Sequence, residues 1–349
     1  MLSTNEAVRR LKQGEVVAIP TETVYGLAAD ASKLLAIQQI FTLKQRPSDN
    51  PLIIHIGCMN QLDEFSKPMT EIELRIIKKF WPGPLTLVLP RKKNVLDAIT
   101  AGLNTVAVRM PNHSKCLNLL QKTGPLVAPS ANLSGTPSPS KSEHVLSDFG
   151  ENFPVLDGGD CAIGLESTVL TCRPNYPTTT GQQSSCASRK FQSDILIYRP
   201  GAISAEELSE FGSVEYYTPS HSIKDTLRTS NVTPSPGLKY RHYAPKATVE
   251  WLSDVEQLET LRYPGVIFLL DKTPPYTQSF TDKVVKDGYS LLCCEGSWKR
   301  FGQLLYDTFR MADKENYTCI FIQDIRKHVA TSSLKDAIIN RIEKAISGH

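Results

Sequence analysis

Short β-branched apolar runs alternate along this chain with stretches of helical spacing, and that alternation restricts it to an α/β architecture. VVAIP (Val16 to Pro20), LIIHI, LTLVLP, TVAVRM, LVAPSA, STVL and ILIYRP are short, and most end beside proline or glycine; LLAIQQIFTLK and EIELRIIKKFW carry helical periodicity between them. Ser3 and Glu6 stand at capping-box spacing ahead of Gly14, which predicts a first helix from Ser3 to Gln13. We expect one large, twisted α/β sheet with its loops gathered at one edge. Beyond Ala247, the runs ATVEWL, GVIFLL, SLLCC and CIFIQ alternate with WKRFGQLLYDTFRMAD and SLKDAIINRIEKAIS, which predicts a small, open, mostly parallel sheet. Between the two, Phe211 to Ala247 loses its apolar periodicity. The expected organisation is a first domain over 1–210, a linker over 211–246 and a second domain over 247–349. Cys172 to Asp194, rich in Thr, Ser, Gln and Pro, reads as a surface insertion.

Composition excludes more than it assigns. A net charge of +3 on 349 residues is too mild to indicate nucleic-acid binding by itself. No apolar run reaches the roughly 18 to 20 residues of a membrane span, and MLSTNEAVRRLKQGE lacks a signal peptide's apolar centre, so a cytosolic location is expected. The eight cysteines (Cys58, Cys116, Cys161, Cys172, Cys186, Cys293, Cys294, Cys319) form no CxxC pair. Neither a zinc site nor a disulfide framework is expected.

The chemistry concentrates where cations meet strand ends. KQRPSDNP (Lys44 to Pro51) sets Lys44 and Arg46 two residues apart, in what reads as a loop ahead of LIIHI. Both are expected to face an open pocket, Lys44 as a point charge on phosphate and Arg46 as a planar fork. Arg109 ends TVAVR and Arg199 ends ILIYR, each followed closely by proline, so the pattern points to a highly anionic substrate. GPLVAPSANLSGTPSPS (Gly124 to Ser140) packs Ser130, Asn132, Ser134, Ser138 and Ser140 into a Gly/Pro-rich loop whose hydroxyls, amide and backbone N–H groups suit phosphate oxygens. PTETVYGLAADA and LDGGDCAIGLESTVL each set hydroxyls beside an acid and a glycine. Such loops can also be connectors, and His55 in LIIHI can be a plain core histidine; the residues alone leave these alternatives open. No GxxxxGK[ST], GxGxxG or HExxH occurs, so a nucleotide would be held without a P-loop.

Taken in order, PTETVYGL, KQRPSDNPLIIHI, FWPGPLTLVLP, TVAVRMPNH, APSANLSGTPSP, LDGG, GLESTVL, ILIYRPGAIS and SPGLKYRHYAPKA resemble the threonylcarbamoyl-AMP synthase family in its long, two-domain form. The resemblance implies a twisted α/β domain with a concave basic face, a linker that covers the nucleotide as a lid, and a small Rossmann-like C-terminal domain. It also implies an enzyme that joins L-threonine, bicarbonate and ATP into threonylcarbamoyl-adenylate and releases pyrophosphate. A partner complex would then pass the threonylcarbamoyl group to tRNA beside the anticodon. Carried over by motif, the essential Lys, Arg, Ser and Asn fall on Lys44, Arg46, Ser130 and Asn132. The threonine pocket falls on Thr23, His55, Arg109, Ala128 and Ser167, and the ATP contacts on Arg46, Asn50, Thr105, Ser130, Ser138, Arg199 and Tyr243. Mg²⁺ would be held by the phosphates and not by side chains. This chain departs from the family at Ala28 and Ala29, where a second glycine is common, and at Leu165. Another reading is an RNA-binding module working through the basic face, with weak RNA contact as a partner interaction.

Overall fold

The computed structural model describes residues 1–172, 194–218, 243–253, 265–328 and 332–347. The interior of the expected insertion, and the linker between 219 and 242 with its lid assignment, lie outside the described residues. The first helix runs Thr4–Gln13, with Ser3 accepting the Glu6 N–H at 3.2 Å and Gly14 closing it in the left-handed region at φ 88°. Only half of a capping box forms, because the Glu6 carboxylate turns to Arg9 and Arg10 at 2.7 and 2.9 Å.

Among the described residues nine strands make the large sheet: β1 (Val17–Ile19), β2 (Gly26–Asp30), β3 (Ile53–His55), β4 (Leu85–Pro90), β5 (Thr105–Arg109), β6 (Leu126–Val127), β7 (Thr168–Cys172), β8 (Ile195–Arg199) and β9 (Val214–Tyr216). Their order is β1-β2-β6-β3-β5-β4-β7-β8-β9, with parallel pairs at β3/β5, β4/β7 and β8/β9 among antiparallel ones. Strand periodicity sorts the two faces. Val106 and Val108 of β5, Leu85, Leu87 and Leu89 of β4 and Ile54 of β3 enter the main core, while Ala107, Val88 and Ile53 form a small cluster on the opposite face. That opposite face also carries His55 and Arg109, which the parallel register sets side by side.

The second sheet is β10 (Thr248–Leu252), β11 (Val266–Leu269), β12 (Ser290–Cys293) and β13 (Cys319–Gln323), all parallel in the order β10-β13-β11-β12. Its central strand VIFL is apolar at every position because both faces are covered. Helices Trp298–Lys314 and Lys335–Ile346 cover one face, and helix Gln278–Lys286 the other. Among the described residues no helix is long and apolar enough to cross a membrane.

The two sheets share a packed boundary. Val24 and Leu165, from loops of the first sheet, enter the core of the second. Gly164, at φ +77°, lies so close to helix Trp298–Lys314 that an added Cβ would meet the Gln303 Cα at 2.6 Å. Around this contact Arg310 grips Asp148 with two bonds of 2.9 and 2.8 Å, and Lys141 pairs with Asp307 at 2.8 Å.

Candidate active site

A cavity of about 650 Å³, counted with its open mouth, sits where the β1–β2 loop, the end of β3, the end of β5, the loop after β6, the start of β7 and the end of β8 converge. Its wall carries three arginines, Arg46, Arg109 and Arg199, together with Thr21, Thr23, His55, Ala128, Ser130, Glu166, Ser167 and Tyr243.

Each arginine is fixed by neutral groups on one side. Arg109 donates to Gly83 O at 3.2 Å and Thr23 Oγ1 at 2.8 Å, and its Nη2 lies 2.7 Å from Glu22 Oε1. That last pair is close enough for ionic attraction but is not aligned for a hydrogen bond, so Nη2 and both Glu22 oxygens have no hydrogen-bond partner among the described residues. Arg199 donates twice to Ser167 O, at 3.2 and 3.0 Å, and once to Ser167 Oγ at 3.2 Å, while Ser167 Oγ also meets Thr86 Oγ1 at 2.7 Å. Arg46 is tied to Asn50 O at 3.2 Å and Pro51 O at 2.8 Å. Burial, and then the Arg109 charge, push the His55 imidazole down to about 3. It is therefore neutral at physiological pH. Its Nδ1 faces Ile53 O at 3.3 Å, which places the proton on Nδ1 and leaves Nε2 as an acceptor.

The remaining sequence-assigned residues stand behind the wall. Lys44 is not in a loop: it is the last residue of helix Leu34–Lys44, and Gln45 turns the chain at φ 52°. Nor does it face an open pocket. It is 1% exposed, and its Nζ donates to Ser130 O at 2.5 Å and Asn132 O at 2.6 Å. The apolar helix face that carries Ile37 and Ile40 inward carries Lys44 with it, and burial holds its ammonium well below the usual lysine range. Its own carbonyl accepts the Ser134 N–H at 2.9 Å, so Lys44 clamps the serine-rich loop from both ends. Asn132 is buried with its Nδ2 on Leu133 O and Thr136 O, at 2.8 and 2.9 Å, and its Oδ1 has no partner among the described residues. Asn50 is buried too, and its Oδ1 likewise has no partner among the described residues. Ser138 points its hydroxyl at Glu166 Oε1, at 2.5 Å, and not at the cavity. Thr105 begins β5, on the Arg109 face but off the cavity wall.

Sequence reasoning noted the acids in PTETVYGL and GLESTVL but gave them no role and did not find their partners. Glu166 is the one carboxylate on the wall among the described residues, and its oxygens accept from Ser138, from the Tyr306 hydroxyl at 3.1 and 3.0 Å, and from Arg341 Nε at 2.8 Å. Burial by itself pushes the carboxyl toward its neutral form and a higher pKa, yet Arg341 and then Arg199 outweigh this and hold it down at about 2. A signal was present: Arg341 interrupts the apolar stripe Ala337, Ile338, Ile342, Ala345, and a charge on a buried helix face demands a partner.

Two family models cover most of the chain: Telomere recombination (Sua5, YciO, YrdC) at residues 9–180, and the threonylcarbamoyl-AMP synthase C-terminal domain at residues 203–347. A Bacillus subtilis relative named threonylcarbamoyl-AMP synthase is 36% identical across 99% of this chain and 95% of its own length. The chain belongs to the threonylcarbamoyl-AMP synthase family. A Pyrococcus abyssi member of that name is 42% identical over 68% of this chain and 64% of its own. The crystal structure of P. abyssi Sua5 complexed with L-threonine matches at a TM-score of 0.79 and 31% identity, covering 100% of this chain and 96% of that one. The likeness spans both sheets, so the α/β architecture belongs to the long form of the family.

Proposed function

We propose that this chain is a threonylcarbamoyl-AMP synthase, a nucleotidyltransferase that joins L-threonine, bicarbonate and ATP and serves threonylcarbamoyladenosine modification of tRNA. The observation that carries this is the convergence of Arg46, Arg109 and Arg199 with a neutral histidine on one cavity. Two carboxylates and a triphosphate must meet there, and like charges about 4 Å apart repel by about 4 kcal/mol at an effective dielectric near 20. Fixed guanidinium groups offset that repulsion without reorganising.

In this reading Arg109 takes the threonine carboxylate, using the Nη2 that Glu22 holds without a proper hydrogen bond. Ala128, Thr23, Ser167 and the acceptor nitrogen of His55 surround the threonine hydroxyl and amine. The amine bonds to the carbon of bicarbonate, water leaves, and a carbamate oxygen attacks the α-phosphorus of ATP. That P–O bond forms as the bond to pyrophosphate breaks. Arg46, Arg199, Ser130 and Tyr243 face the nucleotide; Asn50, Thr105 and Ser138 act from behind them, and Lys44 and Asn132 hold the Ser130 loop. The substrate in this reading is Mg-ATP, its metal held by the phosphates: Glu166 has both oxygens committed, and the wall offers no further carboxylate among the described residues.

The organisation as a catalytic domain over 1–210, a linker over 211–246 and a C-terminal domain over 247–349 belongs to the same reading, as do a cytoplasmic location and delivery to a threonylcarbamoyl-transferase complex. An RNA-binding module is disfavoured, since phosphate contacts to RNA spread along a surface whereas these arginines face inward. Weak RNA contact outside the cavity is compatible with the assignment. The test is threonine-dependent pyrophosphate release from Mg-ATP and bicarbonate, with a labile adenylate recovered. Pyrophosphate release that ignores threonine would sink the proposal.

A further inference from the structure

Among the described residues Arg341 is the largest side chain with essentially no exposed surface, and it belongs to helix Lys335–Ile346, which covers the second sheet. It lies beside the cavity of the first. Its Nε reaches Glu166 Oε2 at 2.8 Å, its guanidinium carbon stands 5.1 Å from the centre of the Tyr243 ring, and its Nη1 is steadied by Asn340 Oδ1 at 2.9 Å. Nη2 has no hydrogen-bond partner among the described residues. From the neighbouring helix, Tyr306 gives its hydroxyl to Glu166 and packs its ring 5.6 Å from that of Tyr243. Glu166 and Tyr243 both line the cavity, whereas Arg341 and Tyr306 do not.

The electrostatics follow from this arrangement. Glu166 shares the cavity wall with Arg199, whose charge acts on it, and would face an incoming anion unless another cation neutralised it. Arg341 supplies that cation from behind the wall. Lys344 also lies over Tyr243, at 5.8 Å, but burial, with Arg341 and Arg199 adding to it, pushes its ammonium down to about 7, so at neutral pH it supplies only part of a charge. We infer that Arg341, with Tyr306, is a positioning residue for the synthase reaction: by neutralising and holding Glu166 it leaves Arg199 available to an anionic nucleotide and sets the Tyr243 ring. The C-terminal unit would then complete the nucleotide side of the cavity, while the threonine side, built on Arg109, His55 and Thr23, would be complete without it. This rests on the function proposed above.

The test is calorimetric titration of the full chain with Mg-ATP and, separately, with L-threonine. Arg341→Met should weaken Mg-ATP by about tenfold or more and threonine by less than about threefold. Arg341→Lys should recover part of the loss. The double variant Glu166→Gln with Arg341→Met should recover more than half, since it removes the uncompensated charge together with its partner. Should Arg341→Met show no melting transition, Tyr306→Phe replaces it, with the same ligand selectivity and a smaller effect. Equal weakening of both ligands, or a double variant no better than the single one, would overturn the inference, because a merely structural arginine predicts those results. A wild-type chain that binds threonine but no Mg-ATP would overturn the proposed function itself, and the role of Arg341 with it.

Discussion

Replacing Lys44 by methionine should cost stability as well as activity, which an exposed phosphate-binding lysine would not. Its Nζ makes two short bonds, to Ser130 O and Asn132 O, in a position 1% exposed to solvent. Hydrogen bonds from a charged donor contribute about 1.5–3 kcal/mol each, and the carbonyls left behind would be buried without partners. Two such bonds give about 3–6 kcal/mol, from which the relieved cost of burying an ammonium subtracts. We expect a net loss of about 2–4 kcal/mol. At about 2–4 °C per kcal/mol for a unit of 150–250 residues, the melting temperature should fall by about 4–16 °C. The methionine keeps most of the volume, so little of this is a cavity effect. Differential scanning calorimetry of Lys44→Met beside Arg46→Met reads the difference. Arg46 is half-buried and tied to two carbonyls of its own turn, so its removal should lower the melting temperature by less than half as much. Both variants should lose threonine-dependent pyrophosphate release. A Lys44→Met protein that melts with wild type would refute the clamp, and the Ser130 loop would then need another anchor.

Arg109→Lys should raise the KM for threonine about tenfold or more with a smaller effect on that for ATP, because a point charge cannot reproduce a guanidinium already bonded to Gly83 and Thr23; the reverse selectivity would mean that the pocket is assigned backwards. The neutral His55 should give threonine affinity no titration step between pH 5 and 8 that His55→Asn removes, since its imidazole charges only near pH 3. For Glu166 the folded carboxyl is depressed to about 2 from 4.5, so its stabilisation is complete above about pH 4.5 and is lost as pH falls toward 2. Urea unfolding should find Glu166→Gln less stable than wild type by on the order of 3 kcal/mol at pH 7, with the gap narrowing toward pH 3; a gap independent of pH would count against the buried ion pair. Gly164→Ala should loosen the boundary between the sheets, visible as faster backbone exchange in helix Trp298–Lys314, because both φ +77° and the 2.6 Å approach to Gln303 oppose a Cβ.

What could be read from the sequence tracks how local the cause is. Every strand run of the second sheet formed where its apolar pattern put it, and Ser3 capped its helix as its spacing implied. The arginines at strand ends reached the cavity because a strand's last residue has a fixed face and a fixed end. The helical run LLAIQQIFTLK does end on Lys44, but its side chain does not reach an open pocket, because the burial of Lys44 depends on carbonyls from a loop nearly ninety positions away. Glu166 stood in plain view within GLEST, but its partners Tyr306 and Arg341 come from the far end of the chain, and no local pattern joins them.

Consecutive side chains between β1 and β2 have separate destinations. Thr23 turns to Arg109 in the cavity, Glu22 backs the same arginine from the interior, Val24 enters the core of the other sheet, and Tyr25 sends its hydroxyl to Asp157 at 3.0 Å. Thr21 locks the spacing by accepting from the N–H groups of Thr23 and Val24, at 3.2 Å each. A single inserted or deleted residue here would redirect all of them at once, whereas a substitution alters only one. Laboratory evolution of this chain should therefore recover point changes across Thr21–Tyr25 but no change of length.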